Sequence, residues 1–74
     1  MFKLSYTERF DGGYVNEYTQ KFNCEYDEAI DQSKKVLSNC NEGSTGCLSF
    51  FDDGFWDCVA FFEKKNGKID LEMA

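Results

Sequence analysis

Residues 2–22 read FKLSYTERFDGGYVNEYTQKF, and their alternation decides the fold. Asp11-Gly12-Gly13 is a turn signal, because Gly reaches the positive φ of tight hairpins and Asp tolerates the neighbouring positions. Taken as a three-residue loop, it sets Phe10 opposite Tyr14, Tyr6 opposite Tyr18 and Phe2 opposite Phe22. These residues then share one face with Leu4. Lys3, Ser5, Thr7 and Arg9 share the other with Lys21, Thr19, Glu17 and Val15. A slip of one residue would scramble both faces, so the register is well specified.

The next segment changes period. Tyr26, Ile30, Ser33, Leu37 and Cys40 recur at i, i+4, i+7, i+11 and i+14. They form one stripe of an amphipathic helix over Glu25 to about Asn39, widened by Ala29 and Val36. Asn23 is the expected N-cap. Glu25, Asp27 and Glu28 in the first turn, with Lys34 and Lys35 toward the end, suit the helix dipole. Asn41 to Gly46 ends the helix in a loop.

Cys47–Phe51 and Phe55–Lys64 read as strands around Asp52-Asp53-Gly54. If those three residues form the loop, Phe51 faces Phe55. Leu48, Phe50, Trp56, Cys58, Ala60 and Phe62 then make the core face, with Trp56 largely buried against Tyr26, Ile30 and Leu37. The opposite face carries Phe51, Phe55, Val59 and Phe61, a surplus of apolar residues that looks like an interface. Asn66-Gly67 starts a last strand, where Ile69, Leu71 and Met73 alternate with polar residues. A two-residue turn there places Leu71 beside Phe62. The order is β-β-α-β-β-β. The expected architecture is a single two-layer α+β domain over residues 1–74, an antiparallel sheet with one helix packed on one face.

Composition restricts the chemistry. Fourteen acidic residues against eight basic ones give a net charge of −6, with no histidine and no proline. The eight Phe, four Tyr and one Trp argue against disorder despite the charge. Without histidine there is no ordinary triad or neutral-pH general base. No P-loop, G-x-S-x-G or G-x-G-x-x-G occurs. The chain therefore reads as a non-enzyme with no cofactor. Direct nucleic-acid binding is disfavoured by the charge sign. Asp52, Asp53 and Asp57 could in principle hold a hard cation, but paired turn aspartates are ordinary turn chemistry. Cys24, Cys40, Cys47 and Cys58 show no C-x-x-C spacing and read as reduced structural thiols. Disulfides, or a four-thiol zinc site, are the weaker alternatives. Acidic neighbours oppose thiolate formation at Cys24. No leader-like stretch opens the sequence, and its longest apolar run, Cys58 to Phe62, is five residues. A cytoplasmic location and no membrane association are the expectations.

What remains points to protein binding. Asp27, Asp31, Glu42, Asp52, Asp53 and Asp57 supply negative charge that can steer association with a basic surface. Phe51 and Phe55 supply apolar anchors. The plain alternative is a solvated, solubilising surface. The runner-up function is a small homodimeric structural or regulatory protein that uses its apolar sheet face or an open edge strand.

The layout also resembles small phage and mobile-element proteins that inhibit bacterial defence, the anti-CRISPR proteins among them. The likeness lies in size, acidity and element order: Phe2–Phe10, Tyr14–Phe22, Glu25–Asn39, Cys47–Phe51, Phe55–Lys64 and Lys68–Met73. It implies an acidic, nucleic-acid-mimicking inhibitor that occupies a basic nucleic-acid site of a host protein such as a Cas protein. The inhibitor would act as a monomer or homodimer in the host cytoplasm. The group shares no diagnostic motif, so no functional residue carries over.

Overall fold

A computed structural model describes residues 1–74. The elements are β1 (Phe2–Arg9), β2 (Val15–Phe22), α1 (Tyr26–Ser38), β3 (Thr45–Asp52), β4 (Phe55–Lys65) and β5 (Lys68–Met73). The strands form one sheet in the order β2-β1-β3-β4-β5, and every neighbouring pair is antiparallel. The protein is therefore of the α+β class, with the sheet dominant.

The first hairpin has the expected register, with Phe2 opposite Phe22 and Tyr6 opposite Tyr18. The Phe10 amide donates to the Tyr14 carbonyl at 2.8 Å, closing the three-residue loop. β3 joins the other side of β1, so Leu4 faces Leu48 and Tyr6 faces Gly46. Phe2, Leu4, Leu48, Ala60 and Phe62 form one buried cluster with Ala29, Ile30 and Leu37 of α1. The helix thus covers the face of β1 that the alternation marks as apolar. Ser33, buried in the same seam, donates its hydroxyl to the Ala29 carbonyl at 2.7 Å.

Gly46 lies under the helix. A Cβ there would come within 3.2 Å of Leu4 Cδ1 and 3.3 Å of Leu37 Cδ2. The missing side chain is what lets Leu37 close against the sheet.

Three expectations are corrected. The helix N-cap is Glu25, in extended conformation and without a side-chain cap bond, rather than Asn23. The β3–β4 turn has two residues, Asp53 and Gly54, at φ 51° and 87°. This is the primed geometry that matches strand twist. Phe51 consequently faces Trp56, not Phe55. A bulge next to Leu48 and Ser49 shifts the register again, so that Leu48 meets Ala60. Trp56 and Cys58 therefore leave the core face. Trp56 is half-buried on the outer face, edge-on to Phe51 at 5.1 Å, with Lys3 Nζ 4.4 Å above its ring. Finally, the structure joins Cys47 to Cys58 as a disulfide across β3 and β4, with Cα atoms 6.5 Å apart, and leaves Cys24 and Cys40 free.

The second two-residue turn is as expected: Asn66-Gly67 sets Leu71 opposite Phe62. No helix is long and apolar enough to cross a membrane.

Candidate protein-binding end

The molecule is elongated, 40 Å by 20 Å by 19 Å. Its two ends differ in charge because of the topology. β1 begins where β3 ends, since the Phe51 amide donates to the Met1 carbonyl at 3.0 Å. The helix begins at the same end, where Tyr26 packs 5.9 Å from Phe2 and its hydroxyl reaches Met73 Sδ at 3.4 Å. The acids of the first helical turn, Asp27 and Glu28, thus share an end with the β3–β4 turn and its Asp52, Asp53 and Asp57. Asp31 stands one turn further along the helix. All six carboxylates are exposed.

The same end carries aromatic surface. Phe55 is 72% exposed and is the most open Phe of the chain, while Phe50 and Phe51 are more than a third exposed. The pairing puts Phe51 and Trp56 on the outer face and Phe55, opposite Asp52, on the other. The sequence reading had Phe51 and Phe55 side by side as one patch. They instead flank the hairpin on its two faces, because the turn has two residues and not three. Phe61 also remains on the outer face, and Val59 packs partly against the core beside the bulge.

Glu42 does not join this group. Its two carboxylate oxygens accept the amides of Asn66 at 2.8 Å and Gly67 at 2.6 Å, at the opposite end of the molecule. It is the clamp of the β4–β5 turn. Lys64 works beside it, donating to the carbonyls of Ser38 at 2.8 Å and Cys40 at 2.7 Å, the free acceptors at the helix C-terminus. Of the basic residues around this turn, Lys64 is thus committed to structure.

Cys40 is buried and donates its thiol to the Val36 carbonyl at 3.3 Å. Burial, with the nearby Glu8 carboxylate adding to it, pushes this thiol up against a partial pull down from Lys64. A raised thiol is a poor nucleophile near neutral pH. The outer face holds an open trough of about 770 Å³, with Ser5, Thr7 and Thr45 on one side and Glu63, Asp70 and Glu72 on the other. These carboxylates are not gathered tightly enough to hold a metal ion.

Sequence reasoning missed Trp56 as a surface residue and the contact of Lys3 with its ring. Lys3 was read only as an outward strand position, and a cross-sheet cation–π contact has no local signature. No family model matches the chain, and no curated protein or solved structure matches it.

Proposed function

We propose that the chain is a non-enzymatic binding protein whose acidic end engages a basic, nucleic-acid-handling surface of a partner protein. The observation that carries this is the convergence of Asp27, Asp52, Asp53 and Asp57 with the exposed Phe55 at one end of an elongated molecule. Clustered carboxylates attract a surface evolved to hold phosphates. Exposed aromatic rings among them supply the apolar contact that charge alone lacks. Competition with DNA or RNA for that surface is the mode of inhibition, of the kind the anti-CRISPR resemblance implies, and a bacterial host cytoplasm is its setting. The proposed contact does not depend on the Cys47–Cys58 bond, which lies between β3 and β4.

The test is affinity capture from bacterial lysate at physiological salt, followed by elution with duplex DNA. The comparison is a variant carrying Asp52→Lys, Asp53→Asn and Asp57→Lys. Asn is used at 53 because it tolerates the positive φ of that position. The wild-type protein is expected to retain nucleic-acid-binding proteins that DNA elutes, and the variant to lose them. Glu63→Gln, on the outer face, should leave capture unchanged. Equal capture by the triple variant would remove the electrostatic mechanism.

A further inference from the structure

β2 is an edge strand of eight residues with nothing over it. Every residue from Val15 to Lys21 is exposed. It carries no proline and no bulge, and its ladder to β1 is continuous. Such an edge is an open template for another strand.

The hydrogen-bond parity fixes what the edge offers. Phe10 donates to the Tyr14 carbonyl, so the pairs that bond β2 to β1 are the even-numbered residues of β2. The bond from Phe51 to Met1 agrees, because it commits the odd residues of β1 to β3. The free amides and carbonyls at the β2 edge therefore belong to Val15, Glu17, Thr19 and Lys21.

We propose that this edge pairs antiparallel with β2 of a second copy, about a two-fold axis at Thr19. In that register Glu17 of each copy lies opposite Lys21 of the other, and Thr19 meets Thr19. Both ion pairs form by one symmetry operation, and every free odd residue between them enters a bonded pair. Opposite charges and Thr–Thr pairs across strands are favourable, and like charges are not. The neighbouring registers of the same parity fail. Two set Glu17 against Glu17 or Lys21 against Lys21, and the others leave both charges without a partner.

The other edge shows the contrast. Ala74 donates to the Val59 carbonyl, so Ile69, Leu71 and Met73 hold the free groups of β5. Pairing β5 with its own copy about Leu71 would set Asp70 against Glu72 twice. The shifts to either side of it set Asp70 against Asp70 or Glu72 against Glu72. Only a short overlap about Ile69, which runs into the Asn66-Gly67 turn, sets Lys68 against Asp70 free of like-charge contacts, so β5 lacks the full-length charge-matched register that β2 has. A closed two-fold dimer with one continuous sheet follows, rather than an open chain of copies.

The experiment is sedimentation equilibrium of the full chain, with Glu17→Lys, Lys21→Glu and the double exchange of both. The wild type is expected to dimerise with rising concentration. Each single change should weaken dimerisation by about tenfold or more, because it places two like-charge pairs in the interface. The double exchange should restore it, since it rebuilds both pairs with signs reversed. Amide exchange should slow at Glu17, Thr19 and Lys21 on dimerisation and stay fast at Ile69 and Leu71. A wild type that remains monomeric at millimolar concentration overturns the proposal. So does a double exchange no tighter than the singles, or protection confined to β5.

Discussion

At Trp56 the largest side chain of the protein rests on the outer face of the sheet, held by the edge of Phe51 and by the Lys3 ammonium. Contacts of this kind at half-exposed positions are worth about 0.5–1.5 kcal/mol. Trp56→Ala removes both contacts and should therefore cost about 1–2.5 kcal/mol. Leu37→Ala, in a fully buried position against Leu4 and Gly46, should cost about 2–5 kcal/mol. Thermal unfolding followed by circular dichroism separates the two. A Trp56→Ala protein that no longer folds would show that the ring is part of the core after all. Ile30→Asp, which puts a charge into the helix–sheet seam, should abolish folding, whereas Asp27→Ala, in the exposed first turn, should change stability by less than about 1 kcal/mol.

Among the elements, the first hairpin and the helix stripe were legible in the sequence, because each carries an unbroken period. Phe2, Leu4 and Tyr6 keep a period of two, and Ala29, Ile30, Ser33 and Leu37 keep the helical one. The second hairpin was half legible, for a specific reason. Asp52-Asp53-Gly54 suits a three-residue loop with Gly last, and it equally suits a two-residue turn at Asp53-Gly54. The shorter turn moves Trp56 and Cys58 to the outer face. The bulge then restores parity, so Ala60 and Phe62 still reach the core. The turn has an ambiguous local signal and the bulge has none, and between them they misplace only the stretch from the turn to the bulge. The acidic end was readable as composition, but only the strand order brings the helix start and this turn together. Gly46 was readable only as loop, yet it sits in β3 under Leu37. Gly46→Val should destabilise by about 1–3 kcal/mol despite the higher strand propensity of Val, because its side chain would overpack that contact. Glu42→Ala should cost about 1–3 kcal/mol, since two amides lose a charged acceptor, and should loosen the β4–β5 turn. Denaturant titration measures both, and amide exchange at Asn66 and Gly67 reports the second directly.

Over the whole molecule, the seam between helix and sheet carries a pH dependence of its own. Tyr6 lies on the helix-covered face of β1, stacked 5.1 Å from Tyr18, and Cys40 closes the C-terminal end of the helix. Burial raises the Tyr6 hydroxyl above its ordinary 10.0, helped by negative charge at Cys40, Tyr18 and Glu8. Burial likewise raises the Cys40 thiol above 9.0. Both groups are neutral below those values, so their contribution is complete at neutral pH. Above about pH 9 the unfolded chain releases these protons more readily than the folded one. It then binds fewer protons than the native state, and stability falls as pH rises. Urea unfolding should accordingly give a constant midpoint from neutral pH to just below 9 and a declining one beyond it. Tyr6→Phe together with Cys40→Ala removes both titrating groups and should flatten that decline, whatever the pair costs at neutral pH. A decline of undiminished steepness in the double variant would show that neither Tyr6 nor Cys40 carries the alkaline limb.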